Sequence, residues 1–208
     1  MNIIFGNQKG GVGKSTLCIM LANYLALVKK KQVLVIDMDF QKSIHEQRKF
    51  DLSRNPQFAD AKPYEVLVMD TEDYPKYAEQ LKKLNDYILI DLPGRLDDET
   101  LIPILKEAHY IICPFFYEIK TVLSTLNFSK FVKYLDKDKA IFFVPNRIKY
   151  GTKYETKEDV DSLLNGVGAI TKGISDRITL ARLSTFEIVE EQKNIVEDVF
   201  NFLYEKII

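Results

Sequence analysis

The chain has 208 residues, 46% of them apolar, with 29 lysines and arginines against 30 aspartates and glutamates. That length and apolar content support one enzyme-sized domain, and the net charge of −1 excludes a partner captured by the overall field, so any contact with nucleic acid or an anionic surface needs a local patch. Cys18 and Cys113 sit in apolar stretches and read as small buried hydrophobes of a reducing compartment. Without a leader-like segment or an apolar run of membrane-spanning length, the chain reads as cytoplasmic.

The first predicted strand, residues 2–6, leads into Lys9-Gly10-Gly11-Val12-Gly13-Lys14-Ser15-Thr16 and a predicted helix over 15–30. Strand, glycine-rich turn, Gly-Lys-Ser and helix in that order form a phosphate-binding loop. Backbone N–H groups and the positive end of the helix face the phosphate oxygens, Lys14 reaches the β- and γ-phosphates, Ser15 offers its hydroxyl to Mg²⁺, and Thr16 opens the helix. The strict pattern needs glycine at position 8. This chain has Gln8 there and adds Lys9 at the loop entrance, so the loop is a variant.

The second predicted strand, 32–36, runs into Asp37-Met38-Asp39, and extended alternation sends those carboxylates the same way, toward metal and water. Asp37 then belongs to the outer shell of Mg²⁺ and Asp39 orients the water that attacks the γ-phosphate; a solvated strand end or a cap for the next helix is the alternative. A helix over 41–50 follows, then an irregular stretch, 51–63, with Asn55-Pro56 and Lys62-Pro63. A strand at 65–69 and a helix at 74–84 precede the strand 87–91, which ends in Asp91-Leu92-Pro93-Gly94. Asp91 there either holds a Mg²⁺-bound water, with Pro93-Gly94 as a switch loop, or merely starts a turn. The remaining elements are a helix at 100–107, strands at 110–114 and 140–144 around a helix at 122–135, a helix at 157–165, a short strand near 169–170 and a C-terminal helix at 188–206. Alternation of β-branched runs with helical periods predicts an α/β fold: a doubly wound, mainly parallel, seven-stranded sheet with helices on both faces, binding ligands at the carboxyl ends of its strands.

The variant loop, the D-x-D after the second strand and the D-x-P-G at Asp91 together resemble the ParA/MinD superfamily of P-loop ATPases. The run from Asn7 to Ser15 and Asp37-Met38-Asp39-Phe40-Gln41 are most similar to the small ParA proteins of DNA segregation, except that Phe40 replaces the usual proline. The resemblance implies ATP and Mg²⁺ as ligands and an ATPase in which Lys9 reaches the nucleotide of a partner subunit, so that ATP binding and homodimerisation become one event and hydrolysis releases the dimer. It also implies that Asn146, in Val144-Pro145-Asn146-Arg147, presents its amide to the adenine edge, the alternative being that Asn146 only shapes a turn after Pro145. The region from Ile174 to Phe186 resembles the segment that closes over the base.

Further implications are non-specific DNA binding by the dimer, association with the nucleoid in the ATP state, and a ParB-like or other centromere-binding adaptor. For DNA, Arg147, Lys149, Lys153 and Lys157, interleaved with Tyr150 and Tyr154, form the densest basic stretch, with Lys172, Arg177 and Arg182 beyond it; a solvated loop explains them equally well. No N-terminal DNA-binding domain is expected, because the phosphate loop lies within ten residues of the start. A MinD-like membrane ATPase and a metabolic ligase or kinase of the same fold are the rival readings. The C-terminal helix has an apolar stripe at Ile195, Val199, Phe202 and Leu203, but its polar face is acidic, which favours core packing over lipid.

Overall fold

The computed structural model describes residues 1–94 and 99–207. Seven strands form among them: β1 (Asn2–Phe5), β2 (Val33–Asp37), β3 (Glu65–Val68), β4 (Tyr87–Asp91), β5 (Tyr110–Phe115), β6 (Ala140–Pro145) and β7 (Ala169–Ile170). They join in one sheet of order β3-β2-β4-β1-β5-β6-β7, and every pairing is parallel. The helices are α1 (Lys14–Asn23), α2 (Ser43–Arg54), α3 (Tyr74–Lys82), α4 (Leu101–Glu107), α5 (Ile119–Leu135), α6 (Lys157–Asn165) and α7 (Glu190–Ile207).

Continuous apolar strands serve two layers because neighbouring residues point to opposite faces. Ile3, Phe5, Val33 and Val35 pack with α1 and α7, whereas Ile4, Leu34, Ile36 and Ile90 pack with α3, α4 and α5. The apolar residues of α7 are committed to the first layer: Val196, Val199, Phe200 and Leu203 are buried, and Ile195 and Phe202 are packed against them. No helix among the described residues is long and apolar enough to cross a membrane.

All seven predicted strands and seven predicted helices are present, with shifted ends. The helix expected over 15–30 begins at Lys14 and finishes in a wider π-helical turn, Tyr24–Val28. The second helix starts two residues late because a tight turn intervenes, closed by the Lys42 N–H on the Asp39 carbonyl at 2.9 Å, with Lys42 at φ 49. It also runs into the stretch expected to be irregular, where Asp51 is buried and a 3-10 turn, Pro56–Asp60, follows.

Register sets the site. Phe5 pairs with Asp91 and Asp91 with Asp37, so the loop leaving β1 and both strand-end carboxylates emerge at one level. Gly6, at that exit, lies under the buried ring of Phe128: a Cβ there would come within 2.4 Å of Phe128 Cζ. Gly6→Ala is expected to destabilise the protein by about 2 kcal/mol through overpacking, read as a lower urea midpoint at unchanged slope.

Candidate functional site

The loop from Gly6 to Lys14 is pinned from several sides. At its entrance the buried Asn7 amide donates to the Pro114 carbonyl (2.8 Å) and to Thr125 Oγ1 (2.9 Å), while its Oδ1 accepts the Lys9 N–H (3.0 Å). Further on, Asn146 Nδ2 donates to the Val12 carbonyl at 2.9 Å, and Val12 itself is fully buried. Gly13 has φ 98, and a Cβ there would meet Asn146 Nδ2 at 2.3 Å, so both conformation and space require glycine. Gly10, Gly11, Gly13, Lys14, Ser15 and Thr16 line a 740 Å³ cavity, joined from other strand ends by Asp39, Phe40, Pro93 and Gly94. Lys14 is buried there, while Lys9 is exposed and is not among the lining residues.

Beneath the cavity lies Asp91, fully buried. Its Oδ2 accepts the Ser15 hydroxyl at 2.5 Å, and its Oδ1 has no hydrogen-bond partner among the described residues. Burial is the main cause that pushes this carboxyl up to about 7; the Ser15 hydroxyl and Lys14 oppose the shift, and Asp37 and Asp39 add to it. A buried, half-satisfied carboxylate beside a serine hydroxyl fits a divalent cation or its water shell. Among the described residues no group of three or more His, Cys, Asp or Glu is suited to a metal, so phosphate oxygens and water must complete any such shell.

Asp37, the last residue of β2, and Asp39, just beyond it, diverge because the extended backbone ends at Asp37. Asp37 is fully buried and faces the start of α2: its Oδ2 accepts the N–H groups of Ile44 and His45, each at 3.0 Å, and its Oδ1 accepts that of Asp39 at 3.3 Å. Burial raises its pKa, and these backbone donors hold the rise down. Asp37 therefore caps α2 in this structure, the alternative weighed above, while Asp39 opens into the cavity.

A second cavity, of 560 Å³, shares Gly13, Thr16, Arg147 and Leu183 with the first and extends toward Asp176, Ile178 and Leu180. Asn146 borders it, but both ends of its amide are bonded within the chain, Nδ2 to Val12 and Oδ1 to the Arg147 N–H (2.9 Å). The structure thus places Asn146 as a buttress of the phosphate loop. Among the basic candidates, Lys157 is ion-paired with Asp161 and Lys172 with Asp198, and Arg147 lies over the Phe116 ring and lines both cavities. Lys149 and Lys153 are exposed.

The sequence assigns no individual role to Asn7 or Gln47, and it places Leu183 only within the region from Ile174 to Phe186 expected to close over the base. Asn7 stood within the quoted loop motif, but Gln47 and Leu183 are brought to the cavity only by tertiary packing.

The raised Asp91 carboxyl has a stability consequence with a definite sign. Folded protein holds this proton more tightly than unfolded chain, where the group titrates near 3.8, so its contribution is fully present below that value and is lost as pH rises through about 7. Asp91→Asn is expected to raise the melting temperature of the ligand-free protein by several degrees at pH 8. The gain should shrink by roughly 1 kcal/mol per pH unit as pH falls from 7 toward 4, checked by thermal melts across that range.

The comparisons with known proteins agree with this geometry. A putative plasmid partition protein from Borrelia burgdorferi, solved with bound AMPPNP, is 25% identical with a TM-score of 0.75, covering 100% of this chain and 99% of its own. McdA from Cyanothece (18% identity, TM-score 0.76, 99% and 98% covered) and MinD in the MinC:MinD cell division complex of Aquifex aeolicus (19%, 0.72, 98% and 95%) share the fold. No curated protein matches the chain. The family model described as the CobQ/CobB/MinD/ParA nucleotide binding domain matches residues 3–188, and the chain belongs to that family of α/β P-loop nucleotide-binding proteins.

Proposed function

We propose that this chain is a partition-type ATPase: ATP and Mg²⁺ bind at the loop, the ATP form is a homodimer that holds DNA without sequence preference, and hydrolysis to ADP and phosphate resets it. The observation that carries the reading is the Ser15 hydroxyl on a buried carboxylate with one free oxygen, at the floor of a glycine-lined cradle. The 25% identical partition protein crystallised with AMPPNP supports it.

Lys14 and the backbone N–H groups of the loop neutralise the β- and γ-phosphates. Ser15 and, through water, Asp91 would hold Mg²⁺, which would offset negative charge on the phosphates. Asp37 supports the site indirectly, by fixing α2 and the Asp39 turn. Asp39 orients the water whose oxygen bonds to the γ-phosphorus as the bond to the bridging oxygen breaks. Lys9, exposed and outside its own cavity, is a cation available to a partner's nucleotide. Of the basic candidates for DNA, Lys149 and Lys153 have their charges free of ion pairs among the described residues, and dimerisation doubles them. A ParB-like adaptor would supply the stimulus for hydrolysis, and DNA retention would place the ATP form on the nucleoid.

The membrane rival needs an apolar helix face, and α7 has spent its own on the core. Lys9→Ala should retain measurable ATP binding and lose ATP-dependent dimerisation in light scattering; an unchanged dimer refutes the role in trans. Lys149→Glu with Lys153→Glu should lower ATP-dependent DNA retention about tenfold at low salt and flatten its salt dependence, with ADP and liposomes as controls; retention with an intact salt slope refutes the assignment.

A further inference from the structure

The segment over residues 178–187 roofs the second cavity and contributes Leu183 to both. It has little regular structure beyond a 3-10 turn, Ile178–Ala181, yet buried side chains from three helices hold its backbone. From α7, Gln192 Nε2 donates to the carbonyls of Thr179 (2.9 Å) and Arg182 (3.0 Å). From α1, Asn23 Nδ2 donates to those of Ser184 and Glu187, both at 2.8 Å.

The third attachment comes from α2. Gln47 Nε2 donates to the Leu183 carbonyl at 3.0 Å and also to Asp51 Oδ1 at 2.9 Å. Asp51 Oδ2 accepts both the N–H of Thr185 (2.6 Å) and its hydroxyl (2.8 Å). The Arg48 guanidinium donates to the Thr185 carbonyl at 3.2 Å and lies between the rings of Tyr64 and Phe186, 4.7 and 4.3 Å from their centroids. Asp51, Arg48 and Thr185 are all buried, and a buried carboxylate with two donors from one residue makes strong, charge-assisted bonds.

A nucleoside triphosphate with its phosphates on Gly10–Lys14 has an adjoining space for its nucleoside in the 560 Å³ cavity past Gly13 and Thr16. Ile178, Leu180, Ala181 and Leu183 of that segment line it, so the firmness with which the segment is held bears on how the nucleoside end is gripped. We infer that Asp51, with Arg48 and Gln47, is a latch that fastens this roof to α2 and sets how long the nucleoside end of a bound nucleotide is retained. These are positioning residues, acting through Leu183 and Thr185 on a ligand that Asp51 does not touch. The inference rests on the proposal that the cavities hold a nucleotide. It adds a control on release that lies outside the phosphate loop.

The test is stopped-flow release of ribose-labelled fluorescent ADP from the full chain. Thr185→Val keeps the volume and removes the hydroxyl bond to Asp51, Asp51→Asn weakens both bonds, and Thr185→Ser restores the hydroxyl. Release is expected to be about tenfold faster in the first two and near wild type in the third. Inorganic tripolyphosphate, which lacks a nucleoside, should compete for the site equally well in all, so that the affinity ratio of ATP to tripolyphosphate falls with the latch. Release at the wild-type rate in both Thr185→Val and Asp51→Asn overturns the inference, as does an equal loss of affinity for ATP and tripolyphosphate. Absence of nucleotide binding in the unaltered protein would instead overturn the nucleotide reading itself.

Discussion

The parallel pairing of β1, β4 and β2 is the constraint on which the site depends. Because Phe5, Asp91 and Asp37 lie at one level, the chain leaving β1 must turn directly over two buried carboxylates. Burying acids there is costly, and the fold offsets the cost unevenly. Asp37 receives three backbone N–H groups, whereas Asp91 receives one hydroxyl and keeps a free oxygen. That unequal treatment separates a carboxylate fully engaged in holding the fold from one left half-satisfied, and it concentrates instability at the glycine-lined cavity.

The same division runs through the loop. Its conformation is imposed from outside: Asn7 ties the entrance to β5 and α5, and Asn146 ties Val12 to the end of β6. The N–H groups around Gly10–Lys14 are thereby organised before any phosphate arrives, which lowers the ordering cost of binding. Beside this cradle, Lys9 is exposed and the segment over residues 178–187 contributes lining residues to the adjoining cavity.

Much of this was legible in the sequence because it is local. The loop, the strand-end aspartates and the order of strands and helices are written in contiguous residues, with periods of two and of about 3.6. Features that depend on turn geometry or on residues distant in sequence were not. The divergence of Asp37 and Asp39 follows from where the strand stops and from a turn closed by Lys42 at positive φ, a conformation that lysine does not advertise. Asn146 reads as a base reader because an amide can donate and accept, and the bond to Val12 which, with that to the Arg147 N–H, gives it a further task in holding the phosphate loop depends on a residue far away in the chain. Likewise Asp51 lay in a stretch read as irregular, and its partner Thr185 is 134 residues away. The basic stretch was visible as composition, and the neutralisation of Lys157 by Asp161, four residues on in the same helix, is a local pairing that the spacing already offered.

The central claim is that Lys14, Ser15 and Asp91 form one site for a magnesium-bound nucleoside triphosphate. The most direct measurement is equilibrium binding of fluorescent ATP to the wild type and to Lys14→Ala, each with Mg²⁺ and with EDTA. The account predicts binding that Mg²⁺ strengthens at least tenfold in the wild type and that Lys14→Ala abolishes. Binding indifferent to Mg²⁺, or binding that survives Lys14→Ala undiminished, would contradict it.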